Sequence, residues 1–178
     1  MKHTGHTTLD VPIERVDLAD WLFNLTDAEY QAAAPTAHRA AGTFVQDGVR
    51  GTVNVEAIGG HLIIQHYREV TGTPTHVEML SNRSRVYLFH LIPAPIQVRW
   101  TMSATPQNAD TSEFTCTVEL TMSPILRLLG GISGLSPAIR RHTLTETRGF
   151  ADDIVRKAKT KPTPAPAPDT DSHRRTAT

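Results

Sequence analysis

Residues 53–70 read VNVEAIGGHLIIQHYREV. Two alternating runs flank Gly59-Gly60, a pair suited to the tight turn of a two-residue hairpin. Pairing the runs about that turn sets Ala57 opposite Leu62, Val55 opposite Ile64 and Val53 opposite His66. Strand side chains alternate with period two, so these six share one face. Five of them are small or aliphatic. That face is predicted to line the core, with His66 as its one polar group. Asn54, Glu56 and Gln65 fall on the opposite face and are expected to meet water.

Downstream, the alternation continues. In IQVRWTMSA, Ile96, Val98, Trp100 and Met102 share a face against Gln97, Arg99, Thr101 and Ser103. In EFTCTVELTM, Phe114, Cys116, Val118, Leu120 and Met122 oppose Thr115, Thr117, Glu119 and Thr121. Such alternation marks antiparallel strands with one buried and one wet face. The loop PQNADTS joins the two, placing Trp100 near Cys116 and Arg99 diagonally near Glu119. The run RVYLFHLI is apolar on both sides. A tight reversal at Pro93-Ala94-Pro95 would turn Leu88 and His90 inward, and a bulge there would turn them outward. The strands are read as 43–46, 51–58, 61–70, 75–81, 84–92, 96–104 and 112–122.

Upstream, TTLDVPI reads as a short strand. Asp17 caps a helical stretch around LADWLFNL. Thr26 with Glu29 forms a capping-box pattern and begins DAEYQAAAPTAHRAAG, which Pro35 ends or kinks and Gly42 stops. After the strands comes the glycine-interrupted stretch ILRLLGGISGL, read as a packed helix, a lid or a membrane contact. A long helix then starts near Ser136-Pro137 and runs to about Lys159, with Gly149 as a weak point.

The order is strand, two short helices, an antiparallel meander and a long last helix. It resembles the helix-grip fold of the START-like (SRPBCC) superfamily, which includes polyketide cyclases and ligand carriers. The phrases WLFNLTDAEYQAAAPTAHRAAG, VNVEAIGGHLIIQHYRE and HTLTETRGFADDIVRK look like a bacterial branch of it. The resemblance implies an α+β domain over 8–158: a curved antiparallel sheet of about six or seven strands wrapped around the C-terminal helix, with an apolar cavity between. It carries over no residue roles, because the superfamily has no universal catalytic motif. Residues 1–7 are expected to be a flexible N-terminus and 159–178, rich in proline, alanine and threonine, a disordered tail.

Composition narrows the function classes. Lysine plus arginine equals aspartate plus glutamate at 18 each in 178 residues, so no global field points to nucleic acid. No stretch approaches the roughly 20 apolar residues of a membrane-spanning helix, and MKHTGHTTLD lacks the apolar run of a signal peptide. The expectation is a soluble, cytoplasmic protein. Nucleotide-binding and hydrolase motifs are absent, no local His/Asp/Glu spacing suits a metal, and no cofactor is expected.

On this reading His66 and His90 are the candidate acid–base residues, facing the cavity as imidazoles. Val55, Ile64, Arg68, Leu88, Val98, Trp100, Met102, Cys116 and Val118 are the candidate ligand-binding residues. His38 and His142 lie on stretches read as helical whose rotation the pattern leaves open. Three functions compete: an enzyme of the cyclase or aromatase type in secondary metabolism, a carrier or sensor of a hydrophobic small molecule, and a protein-interaction module. The outward apolar residues of 87–91 are compatible with a homodimer in the last case.

Overall fold

A computed structural model describes residues 1–132 and 134–160. The predicted tail lies outside the described residues from 161 onward, while Lys159 and Thr160 belong to the last helix. Seven strands form one antiparallel sheet: β1 (Lys2–Leu9), β2 (His38–Gln46), β3 (Val49–Ile58), β4 (His61–Gly72), β5 (His76–Leu88), β6 (Ile92–Pro106) and β7 (Ser112–Thr121). Their order across the sheet is β1-β7-β6-β5-β4-β3-β2. Two short helices, α1 (Leu18–Phe23) and α2 (Asp27–Ala33), follow β1; α3 (Pro124–Ile132) and the long α4 (Leu135–Thr160) follow β7. This is the expected α+β helix-grip architecture.

The N-terminal residues expected to be loose are instead an edge strand, paired with β7 from Lys2↔Glu119 to Leu9↔Ser112. Both predicted caps form. The Asp17 carboxylate accepts from the Asp20 backbone N–H, and Thr26 and Glu29 complete a reciprocal capping box. The second helix is shorter than its sequence pattern suggested. It ends at Ala33, and His38 already belongs to β2.

The hairpin register is as predicted: Val53↔His66, Val55↔Ile64 and Ala57↔Leu62 are partners. Gly59 and Gly60 both have positive φ, +58° and +81°, as a primed hairpin turn requires. The face assignment, however, is inverted. Thr52, Asn54, Glu56, Ile58, His61, Ile63, Gln65 and Tyr67 are buried, while Val53, Val55, Ala57, Leu62 and Ile64 are only half-buried and His66 is exposed.

The next hairpin also turns earlier than expected. Its tip is Phe89-His90-Leu91, where Phe89 and His90 adopt positive φ, and both prolines lie within β6. The pairs are Leu88↔Ile92, Val86↔Ala94 and Ser84↔Ile96, so the predicted strands 75–81 and 84–92 are one strand interrupted by a bulge at Ser81–Ser84. The bulge shifts the side-chain phase by one residue. Val77, Met79 and Ser81 point inward before it, and Ser84, Val86 and Leu88 after it.

The core lies between the concave face and α4. Phe150 of α4 is its hub, with ring centroids 5.1 Å from Trp21, 5.8 Å from Trp100 and 6.3 Å from Tyr30. Burying each such side chain contributes about 1.5–3 kcal/mol. As expected, Trp100 meets Cys116, its indole N–H donating to Sγ at 3.2 Å. Arg99 and Glu119 are direct strand partners, but Arg99 pairs with Glu78 and Glu119 with Lys2.

Candidate functional site

Residues from separate elements converge beneath the concave sheet. Tyr30 comes from α2, His38 from β2, Glu56 and Gln65 from the β3–β4 hairpin, and His142 and Glu146 from α4. The α4 residues fall there by spacing. Leu135, Ile139, His142, Thr143, Glu146, Thr147, Phe150 and Ile154 form the buried stripe of the helix at three- and four-residue intervals. His38 arrives because α2 stops at Ala33, and the connection folds back with the His38 amide bonded to the Ala34 carbonyl at 2.8 Å.

Hydrogen bonds fix the cluster. The Tyr30 hydroxyl donates to Glu56 Oε1 at 2.7 Å and the Gln65 amide donates to Glu56 Oε2 at 3.2 Å. His38 Nδ1 lies 2.5 Å from the Tyr30 backbone carbonyl, which can only accept, so Nδ1 carries the proton. The His38 ring is stacked on the Tyr30 ring, centroids 3.7 Å apart and planes within 2°. His38 Nε2 then faces Glu146 Oε1 at 3.5 Å, and His142 Nε2 stands 3.8 Å from Glu56 Oε2 and 3.9 Å from Glu146 Oε2. Neither imidazole Nε2 has a hydrogen-bond partner.

Burial lowers the His38 pKa, but the Glu146 contact, the Glu146 and Glu56 charges and the Tyr30 carbonyl together raise it above the ordinary value. Burial, then the nearby carboxylates, pushes the Tyr30 and Tyr67 hydroxyls well above the usual phenol range. Both tyrosines are therefore hydrogen-bond donors at neutral pH rather than bases.

Glu56, Gln65, His142 and Glu146 of the cluster close the polar end of a small internal chamber. Its remaining wall is mostly apolar, made by Ile63, Tyr67, Val98, Trp100, Val118 and Leu120, with Asn54 and Thr143 as polar members. The chamber leaves about 20 Å³ for water-sized occupants, room for roughly one water. The sequence led us to expect a larger greasy cavity. Outside it runs a surface groove of about 380 Å³, between the α2–β2 connection, the β3–β4 turn and the first half of α4. That volume is within the range of small-molecule sites. Ile58 and His142 line both spaces and form the partition between them. Thr36, Arg141 and Thr145 supply polar groups along the groove.

Of the residues singled out from sequence, Val98, Trp100 and Val118 line the chamber. Leu88, Met102 and Cys116 are buried in the core but do not line it. Val55 and Ile64 occupy the outer face, and Arg68 bonds the Gln46 carbonyl at the sheet's edge. His66 and His90 are both exposed, His66 on the outer face and His90 at the β5–β6 tip. Neither imidazole reaches the chamber. For His66 the reason is strand phase, which is common to all residues of a strand and here is opposite to the predicted one. For His90 it is the early turn. The residues that converge are Glu56 and Gln65 from the trio expected to face water, beside Asn54 in the chamber wall, together with His38, His142, Glu146 and Tyr30.

Among the described residues, no helix is long and apolar enough to cross a membrane. No family model matches the chain. No curated protein matches it. Solved structures do. TTHA0849 from Thermus thermophilus is similar over 88% of this chain and 99% of its own, at 11% identity and a TM-score of 0.66. The Zhui aromatase/cyclase from Streptomyces sp. R1128 covers 90% of this chain and 96% of its own, at 10% identity and a TM-score of 0.61. The di-domain ARO/CYC StfQ of the steffimycin biosynthetic pathway covers 89% of this chain, which spans 46% of that protein, at 13% identity and a TM-score of 0.54. With its grip of seven strands around α4, this chain has the helix-grip fold that these structures share.

Proposed function

We propose that the chain binds a small, largely apolar molecule in the groove beside α4. The buried cluster behind Ile58 and His142 then performs acid–base chemistry on the polar end of that molecule. The observation that carries this reading is the cluster itself: two imidazoles and two carboxylates, each buried, of which Glu56, His142 and Glu146 line the polar end of a mostly apolar chamber and His38 stands behind them. Burying such groups is costly unless they are used or compensated, and sites of this kind concentrate at functional positions. Ring closure of an aldol type suits the arrangement. A carboxylate accepts the proton from a carbon flanked by carbonyls, that carbon's electron pair forms the new bond to the second carbonyl carbon, and a protonated imidazole gives its Nε2 proton to the carbonyl oxygen, which becomes a hydroxyl. Each positioned proton transfer contributes roughly 10²–10⁴-fold. The shared fold with the Streptomyces aromatase/cyclase supports cyclisation or aromatisation as the reaction class.

Binding without chemistry is the second reading, favoured by the small chamber. A ligand held in the groove need not reach Glu146, and the protein would then be a carrier or sensor. One experiment separates the two. Titration calorimetry reports an occupant of the groove, and quenching of Trp100, which lines the chamber, reports one that reaches the cluster. Aromatic acids, fatty acids and short oligo-β-ketone surrogates are titrated into wild type and Glu146→Gln, and products are followed by mass spectrometry. Retained binding with lost turnover supports the enzyme. Binding without turnover in wild type supports the carrier, and no saturable binding by either protein overturns both.

A further inference from the structure

We propose that His38, Glu56, His142 and Glu146 together bind one divalent transition-metal ion of the zinc class. The inference rests on reading this cluster as the working end of the site; with all four groups bound to zinc, the ion takes the place of the proton between imidazole and carboxylate, and the acid–base step belongs to the metal-free chain. One ligand atom from each of the four lies within 4.8 Å of the others. A zinc ion with nitrogen and oxygen ligands at roughly 2.0–2.2 Å holds tetrahedral ligand atoms roughly 3.4 Å apart. The His38–Glu146 separation of 3.5 Å, through Oε1, matches; His142 stands 3.8 Å from Glu56 and 3.9 Å from the other Glu146 oxygen, and the widest pairs of the set, up to 4.8 Å apart, must draw in around the ion.

Three further observations point to a cation. The first is the pair of imidazole Nε2 atoms without partners, on residues only 1% and 8% exposed. With its proton on Nδ1, His38 aims Nε2 at a carboxylate, so a positive charge must stand between them, either a second proton or a metal ion. The second is charge. Among the described residues, the ion-pair contacts of Glu56 and Glu146 are with histidines, and no lysine or arginine shares them. A divalent ion would neutralise two carboxylates that otherwise share a low-dielectric site.

The third is the outer layer. Metal-bound histidines characteristically donate their other ring N–H to a carbonyl or carboxylate, and ligating carboxylates are themselves hydrogen-bonded. His38 does the first through the Tyr30 carbonyl; Glu56 does the second through Tyr30 Oη and Gln65. Two nitrogens with two oxygens suit zinc and its first-row neighbours. Calcium and magnesium prefer all-oxygen sets, and copper(I) prefers sulfur. Cys116 takes no part, since its Sγ accepts from Trp100.

The test uses the full chain without an affinity tag, treated with chelator and returned to neutral buffer. Zinc is titrated calorimetrically, and bound metal is counted by plasma mass spectrometry after gel filtration. The expected result is one tightly held zinc per chain. Affinity should fall at least 10-fold in Glu146→Gln and further in a His38→Gln/His142→Gln double variant, each checked for folding by circular dichroism. Cobalt(II) in the same site should give the intense visible absorption of a four-coordinate complex. Absence of stoichiometric zinc in wild type, or equal binding by a folded double variant, overturns the inference and assigns any uptake to surface histidines. The small-molecule titration is run on chelated and zinc-loaded protein alike. Ligand binding without zinc uptake refutes the metal alone, and zinc uptake without ligand binding refutes the small-molecule reading alone.

Discussion

Tyr30 donates its hydroxyl proton to Glu56 across 2.7 Å, joining α2 to the β3–β4 hairpin inside the core. The same tyrosine supplies the carbonyl that orients His38, so one short helix positions two members of the cluster. Tyr30→Phe keeps the ring stacked on His38 and the backbone carbonyl in place, and removes only the donor. A buried carboxylate deprived of one hydrogen bond costs about 1–3 kcal/mol. We expect a cooperative fold with that loss in chemical denaturation, and zinc affinity lower by about 10–100-fold, the usual effect of removing an outer-layer partner. Unchanged zinc affinity in a folded Tyr30→Phe protein would show that Glu56 is not held for a metal.

His66 gives the opposite expectation. Its backbone N–H bonds Ser81 Oγ at 3.1 Å, but its imidazole is exposed on the convex side. Replacement by alanine keeps the backbone bond and should change stability by less than about 0.5 kcal/mol. Ligand and zinc titrations should be indistinguishable from wild type, as they should for His90→Ala. A large loss of ligand binding in either variant would mean that the working site lies outside the chamber.

The hairpin shows what was legible in the sequence and what was not. Gly59-Gly60 and the alternation on either side determine the pairing, and that register is the one observed. Alternation does not say which face is inside. Choosing the more aliphatic face, Val53, Val55, Ala57, Leu62 and Ile64, follows the ordinary rule of burial, and it fails here because the buried face carries Asn54, Glu56 and Gln65. Departures from that rule are expected where function requires polar groups inside. Two clues were present. Ile58, Ile63 and Tyr67 put large apolar groups on the polar-looking face. The spacing of Ile139, His142, Glu146 and Phe150 placed a histidine and a glutamate on the apolar stripe of α4. His38 left no such trace, because its position depends on α2 ending before Pro35 and not beyond it.

Gly149 illustrates a packing constraint that looks like a weakness in the sequence. A Cβ at this position would fall on the carbonyl group and Cα of Ala33, the last residue of α2. Alanine is better than glycine in a helix by about 1 kcal/mol. Forcing extra volume between two packed backbones costs about 1–3 kcal/mol. The contact should win, so Gly149→Ala should lower the denaturation midpoint despite its higher helix propensity. Because Ala34 holds the His38 amide, displacement of α2 should weaken zinc binding as well. A variant more stable than wild type would mean that α2 yields at little cost.

Acid sensitivity should concentrate at Glu29, which ties α2 to the end of α4. Its carboxylate accepts from Lys157 at 2.7 Å, from Arg156 at 2.6 Å, and from the backbone and hydroxyl of Thr26 at 2.9 Å each. Burial alone would raise its pKa, but these donors outweigh it and hold the group at about 2 against an ordinary 4.5. A folded-state pKa below the unfolded one means that the unfolded chain takes up the proton first as pH falls. The stabilisation is therefore complete above 4.5 and is lost on descending toward about 2. Glu29→Gln keeps a capping-box side chain but removes the charge. Allowing for solvent screening at a partly exposed site, it should lower stability at neutral pH by on the order of 1–2 kcal/mol. Denaturant titrations of wild type and variant across the acid range should converge as pH drops through that window. A gap that stays constant, or widens in acid, would show that the contribution of Glu29 is not the paired charge.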